Sequence, residues 1–318
     1  MAEIKITDES LASLKDKVVV VTGGSSGIGL ATVQLLLSLG ASVVDGDLNP
    51  PVSDANTPNP LPSSPKFHFH AVDVTSWSSL ISLYKTTLEL HGHIDHVFAN
   101  AGVVTSTDYV NGLEVDDETG DPREPSSLVL DVNLKGVINT AALGVWYIRK
   151  GGEGNGKGEG SVVLNASSTG LQRLRIHDYA VSKHGVIGLM RGMHASLSHP
   201  SPPSPSPSPI RINAVAPSWT ATGMVIQDIF DRMRIYIQPA SAVARGVAKL
   251  MADDSHRGHL VHIDHEVYKE ADEAVMLPAY YSLMHKDTDN EDEVLARVRE
   301  TALGFRKERE EAEGKGEV

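Results

Sequence analysis

Short apolar runs alternate with stretches of helical spacing along most of the chain. Residues 17–22 (KVVVVT) are β-branched and continuously apolar, as a strand buried on both faces requires. A glycine-rich turn follows. Then comes ATVQLLLSLG, whose apolar positions recur at helical spacing and which stops on Gly40. The same alternation predicts further strands at 41–47 (ASVVDGD), 67–74 (FHFHAVDV), 93–102 (HIDHVFANAG), 161–167 (SVVLNAS), 210–217 (IRINAVAP) and 258–264 (GHLVHID). It predicts helices at 78–92, 127–150, 179–198, 223–237 and 241–253. About seven strands separated by helices imply an α/β fold with one parallel sheet covered on both faces. Right-handed crossovers make that sheet a doubly wound, Rossmann-type one.

Between these elements the composition changes. Twelve of the 17 prolines lie in 50–65 and 200–209, and six of the 28 glycines lie in 151–160. Such stretches cannot pair in a sheet and cost little as connections. With the acidic stretch 111–126, they read as inserts at 50–65, 111–126, 151–159 and 200–209 in a single catalytic domain over 1–286. Residues 287–318 are expected to form a charged helix or tail. The net charge is −13, but residues 114–124 contribute −5 and residues 287–318 another −5. The rest is close to neutral, so the acidity says little about the site. It does argue against nucleic acid as a partner.

The chain has no cysteine, which excludes a disulfide framework, a thiolate nucleophile and a cysteine zinc site. A reducing compartment, the cytoplasm, is the expectation. The first 17 residues have no apolar stretch of signal-peptide type, and no uninterrupted apolar run approaches the roughly 18 residues of a membrane helix, so no membrane is expected. His91, His93 and His96 read as turn and surface residues, and no metal is expected.

Two features carry chemistry. Gly23, Gly24, Ser25, Ser26, Gly27, Ile28 and Gly29 lie between the first strand and the first helix. Glycines there permit a tight turn and a close backbone approach to a pyrophosphate, and the helix start offers free N–H groups to it. Asp47 ends the second strand, 18 residues after Gly29. A carboxylate there can accept from both hydroxyls of an adenosine ribose and would repel a 2′-phosphate, which favours NAD over NADP. Asp45 lies on the same strand face but farther from the carboxyl end, where ligands bind.

The turn TGGSSGIG, the strand end Asn100-Ala101-Gly102 and the run Tyr179-Ala180-Val181-Ser182-Lys183 together resemble the classical short-chain dehydrogenases/reductases, from about residue 17 to 264. The inserts resemble those of filamentous-fungal members, many of which act in specialised metabolism. The resemblance implies Asn133, Ser167, Tyr179 and Lys183 as catalytic residues, with Ser168 the alternative serine because the span to Tyr179 is one residue short. It implies a cofactor site built from Gly23, Ser25, Ser26, Gly27, Ile28, Gly29, Asp47, Asp73, Val74, Asn100, Ala101, Gly102, Tyr179, Lys183, Pro217, Trp219, Thr220 and Thr222. Ser218 stands where the family has a glycine. It further implies a homodimer or homotetramer through the helices starting near Leu128 and Tyr179.

The residues themselves agree with that chemistry. Tyr179 and Lys183 are four apart and share a helix face. A neighbouring ammonium, together with the positive oxidised nicotinamide, favours a phenolate, which can take an alcohol proton. Ser167 can stabilise charge on the substrate oxygen, and Asn133 can hold a water that relays protons to Lys183. Met224, Ile226, Ile229, Phe230 and Met233, with residues 275–284, are expected to cover a pocket for a bulky, mainly apolar secondary alcohol or ketone. His177 is expected near the pocket mouth, with Arg173 and Arg175 beside it. The expected function is NAD-dependent hydride transfer. The alternatives are an NADPH-dependent ketoreductase and a dinucleotide-binding regulator or template without redox turnover.

Overall fold

The computed structural model describes residues 3–51, 64–104, 108–152, 158–198, 208–223 and 227–283, with 297–298, 300–302 and 304–305. Most of the inserts at 50–65, 151–159 and 200–209, and most of the tail, lie outside them. Met1–Ala274 forms one compact unit and Val275–Val318 a second. Of the second, the described part includes the short helix Leu277–Tyr281.

In the first unit the elements run β1 (Val18–Thr22), α1 (Gly27–Ser38), β2 (Ser42–Asp47), β3 (Phe67–Ala71), α2 (Trp77–His91), β4 (His96–Ala99), α3 (Leu128–Gly152), β5 (Gly160–Asn165), α4 (His177–Ser198), β6 (Ile210–Pro217), α5 (Gln227–Met233), α6 (Ala240–Ala252), β7 (Leu260–Asp264) and β8 (Val267–Glu270). They build one eight-stranded sheet in the order β3-β2-β1-β4-β5-β6-β7-β8. All pairs are parallel except β7–β8. The order reverses between β1 and β4, so the crevice at their carboxyl ends is the expected ligand site of such a sheet.

The eighth strand is a correction to the seven expected. It is an antiparallel edge strand, closed onto β7 by His265 and Glu266, both with positive φ (50° and 60°). Two-residue hairpin loops demand that conformation and usually signal it with Asn or Gly. Here neither residue carries the signal.

Burial explains the continuous apolar runs. Val19, Val21, Phe98, Val163, Val215 and Val261 join Leu11, Leu14, Val33, Leu36, Val247 and Met251 in one core on the α1–α6 face. The opposite face is also covered: α3 crosses so closely that a Cβ on Gly144 would lie 3.1 Å from Val97 Cγ2, and the Tyr84 hydroxyl of α2 donates to Thr140 O at 2.6 Å. The caps follow the sequence signals. Ser76 Oγ accepts from Ser79 N–H, and Gly92 ends α2 with φ 77°.

The α3 helix has a π-helical turn at Asp131–Gly136. By length and composition it is long and apolar enough to cross a membrane, contrary to the expectation from the sequence. Half of its apolar window is buried within the protein, where Val129, Val137, Ala141 and Ile148 are 3% exposed or less.

Candidate active site

The carboxyl ends of the central strands open into a cleft of about 530 Å³. Gly23, Ser26, Gly27, Ile28, Asp47, Asp73, Val74, Asn100, Ala101, Gly102, Ser167, Tyr179, Lys183, Pro217, Trp219, Thr220 and Thr222 all line it. Three expected residues do not: Ser25, Gly29 and Asn133.

The glycine turn is shaped by its neighbours. Gly23 has φ +69°, and a Cβ there would lie 2.8 Å from Ala101 Cα. A Cβ on Gly29 would strike Gly23 O at 1.9 Å, so this glycine serves packing of helix on turn. The Ser26 side chain does not cap α1. The first-turn N–H groups and the positive end of the helix dipole therefore remain for an anion. This donor set fits a pyrophosphate.

Ser25 faces the second strand. Its Oγ–H donates to Asp45 Oδ2 (2.9 Å), and its N–H donates to Asp47 Oδ2 (3.2 Å). Gly24 N–H donates to Asp45 Oδ1 at 2.8 Å. Asp45 is fully buried behind the turn while Asp47 faces the cleft. Burial pushes the Asp45 carboxyl up to about 7, and the Asp47 carboxylate pushes the same way against the hydrogen bonds from Ser25 and Gly24. Across the cleft, Thr222 closes over the turn: a Cβ on Gly27 would lie 3.2 Å from Thr222 Cγ2.

At the other end stand Ser167, Tyr179 and Lys183. Ser167 Oγ accepts from Thr169 N–H at 3.1 Å and hydrogen-bonds the Tyr179 phenol. That contact favours Ser167 over Ser168, although both line the cleft. Lys183 Nζ donates to Asn165 O at 2.8 Å and lies 5.4 Å from the centre of the Tyr179 ring. Burial draws Lys183 down to about 8. It also pushes the Tyr179 phenol above its ordinary range, against the Ser167 hydrogen bond. Burial is the larger of these two influences on Tyr179.

Asn133 is buried behind the cleft. Its Oδ1 accepts from Val103 N–H and its Nδ2 donates to Val103 O, both at 2.8 Å. The amide holds the loop after β4.

On the substrate side, Val104, Leu174, Ile176 and Trp219 supply an apolar wall. Within the expected helix at 223–237, the described helix is α5, Gln227–Met233, ended at Arg234 with φ 55°. Phe230 packs on Trp219 with ring centres 4.7 Å apart, whereas Met233 is 62% exposed. Residues 224–226 and the Ile229 side chain lie outside what is described, and residues 275–283 belong to the second unit. His177 accepts from Tyr109 N–H (3.1 Å) and stacks on its ring. It ties the loop at 108–112 to α4, and Arg173 and Arg175 are exposed. Asn165, Gln172, Leu174 and Ile176 were not expected in the cleft. The signal for Asn165 is an amide ending an otherwise apolar strand.

A doubly wound sheet with a dinucleotide-type turn at the switch point, facing a serine, a tyrosine and a lysine, defines a class of nicotinamide-linked oxidoreductases. The family model for short chain dehydrogenases matches residues 17–232, and the chain belongs to this family. It is 46% identical over 305 residues to the short-chain dehydrogenase/reductase ascJ of Acremonium egyptiacum, covering 95% of this chain and 97% of that one. It is 31% identical over 223 residues to the 5′-hydroxyaverantin dehydrogenase stcG of Emericella nidulans, covering 65% and 68%. Among solved structures, the 3-ketoacyl-(acyl-carrier-protein) reductase of Brucella melitensis complexed with NADH shares the fold, with a TM-score of 0.63 at 19% identity over 79% of this chain and 98% of that one.

Proposed function

We propose that the chain transfers a hydride between NAD(H) and a bulky, mainly apolar secondary alcohol or ketone, in fungal specialised metabolism. The observation that carries this reading is one cleft with Asp47 at one end and Ser167, Tyr179 and Lys183 at the other. The likeness to a dehydrogenase named for 5′-hydroxyaverantin supports such a substrate class, as does the apolar wall of Val104, Leu174, Ile176 and Trp219.

When bound, the nicotinamide supplies the hydride acceptor or donor. The turn from Gly23 to Ile28 and the start of α1 would hold the pyrophosphate, and Asp47 the adenosine ribose hydroxyls. Asp73, Val74 and Asn100–Gly102 would flank the adenine half. Lys183 and the loop from Pro217 to Thr222 would hold the nicotinamide half. In alcohol oxidation, the carbinol hydrogen leaves with its electron pair and the hydroxyl proton passes to Tyr179. Ser167 donates a hydrogen bond to the same oxygen as charge develops. Lys183 still carries its proton at pH 7, since it titrates near 8. Its charge, with that of the oxidised ring, offsets the desolvation that keeps Tyr179 protonated. In ketone reduction the protonated phenol is already the required acid.

The chain acts in the cytoplasm in this reading, as a homodimer or homotetramer. Leu128, Ile138 and Trp146 on α3 and Val181 on α4 are 38–54% exposed, an apolar face suited to self-association. Tyr179→Phe tests the mechanism. Turnover of hydrophobic secondary alcohols should fall by about 10²- to 10⁴-fold, while NADH affinity by fluorescence stays unchanged. Undiminished turnover would overturn the role of Tyr179, and tighter binding of NADPH than NADH would overturn the cofactor assignment.

A further inference from the structure

Ser25 meets two carboxylates at once. Asp45 and Asp47 lie two apart on β2, so their side chains leave the sheet on the same face. Asp47 Oδ2 accepts from Ser25 N–H at 3.2 Å, and Asp45 Oδ2 accepts from Ser25 Oγ–H at 2.9 Å. Asp45 Oδ1 takes Gly24 N–H as well. A Cβ on Gly24 would strike that oxygen, so turn and carboxylate touch without a gap.

Asp47 faces the cleft, where a ribose could meet it. Asp45 is fully buried and does not line the cleft. Burying a second acid there is costly, and what it does there follows from its polarity. A carboxylate can only accept, and a serine hydroxyl has one proton to give. Asp45 therefore turns the Ser25 proton back toward β2. An adenosine ribose held by Asp47 would set any 2′-phosphate beside Ser25, because the Ser25 N–H already reaches Asp47. A phosphate there needs donors, and Ser25 has two, its N–H and its O–H. Asp47 occupies the first and Asp45 the second.

We propose that Asp45 is a positioning residue for cofactor choice: by holding the Ser25 hydroxyl proton it denies a 2′-phosphate its second donor, so that the preference for NAD rests on two carboxylates acting on one serine. The inference rests on reading the cleft as a dinucleotide site with Asp47 at the adenosine ribose. Removing Asp47 alone then opens only half of a phosphate site. Asparagine at position 45 opens the other half. Its Nδ2 donates to Ser25 Oγ and releases the hydroxyl proton, while its Oδ1 still accepts from Gly24 N–H.

The test is a fluorescence titration of the full chain with NADH and NADPH at pH 8.5, where the Asp45 carboxyl, raised by burial to about 7, is ionised. Asp47→Ala is the starting background. Adding Asp45→Asn should strengthen NADPH about tenfold further, the size of one hydrogen bond to a charged group, while NADH stays within about twofold. Adding Ser25→Ala as well should abolish that further gain. Retained NADH binding shows that each variant is folded. Should the Asp45→Asn protein lose both cofactors, Asp45→Ala, which also frees the hydroxyl, repeats the measurement; loss of both again overturns the proposal, because Asp45 would then serve only the fold of the turn. No further gain for NADPH overturns it too. So does a gain that survives Ser25→Ala or is equal for the two cofactors, since removal of a negative charge alone would explain it. A wild-type chain that binds neither cofactor, or NADPH more tightly than NADH, overturns the reading of the cleft and of Asp47, and this inference with it.

Discussion

Asp45→Asn should stabilise the protein, and by an amount that depends on pH. Asp45 is fully buried between the glycine turn and β2. Burial raises its carboxyl to about 7 from an ordinary 3.8. The folded state thus holds a proton over a range in which the unfolded chain has released it. For a carboxyl raised in this sense, the stabilisation is fully present below 3.8 and is lost as pH rises through 7. The loss proceeds at about 1.4 kcal/mol per pH unit and sums to about 4 kcal/mol as an upper bound. Asparagine cannot ionise. It can still accept from Gly24 N–H, and its Nδ2 can donate to Ser25 Oγ, which has an acceptor to offer. Chemical denaturation of both proteins from pH 5.5 to 8.5 isolates the effect, because every other titrating group is common to them. The stability difference in favour of the variant should grow by about 2 kcal/mol between pH 5.5 and 7 and then level off. A difference that is flat across this range would refute the argument, since Asp45 would then titrate alike in the folded and unfolded chain.

Three further outcomes are expected. Asp47→Ala should weaken NAD by about ten- to a hundredfold, the loss of hydrogen bonds to a charged acceptor, and should narrow or reverse the preference over NADP in a fluorescence titration. Gly23→Ala places a Cβ 2.8 Å from Ala101 Cα at φ +69°; it should lower stability by about 2 kcal/mol or more and weaken dinucleotide binding, read by thermal melting with and without NADH. Arg191→Ala removes the bidentate partner of Asp272, a carboxylate that is 2% exposed; denaturation should show a loss of about 3 kcal/mol, the usual cost of a buried charge stripped of its partner.

The sequence alone determined the framework. The β-branched runs, the helical spacings and the glycine punctuation are local signals, and they placed seven strands in order. The glycine turn and the Asp47 strand end were legible because their spacing follows from a tight strand–turn–helix crossing. The β7–β8 hairpin was not, because His265 and Glu266 are held at positive φ without the residues that favour it. Tertiary structure decided which polar groups face the cleft. Ser25 turned out to brace two carboxylates and Asn133 to clamp Val103. It also raised the pKa of Tyr179, where burial prevails over the Ser167 hydrogen bond. Hydrogen bonding and desolvation depend on groups brought together from distant parts of the chain, and no local pattern records them.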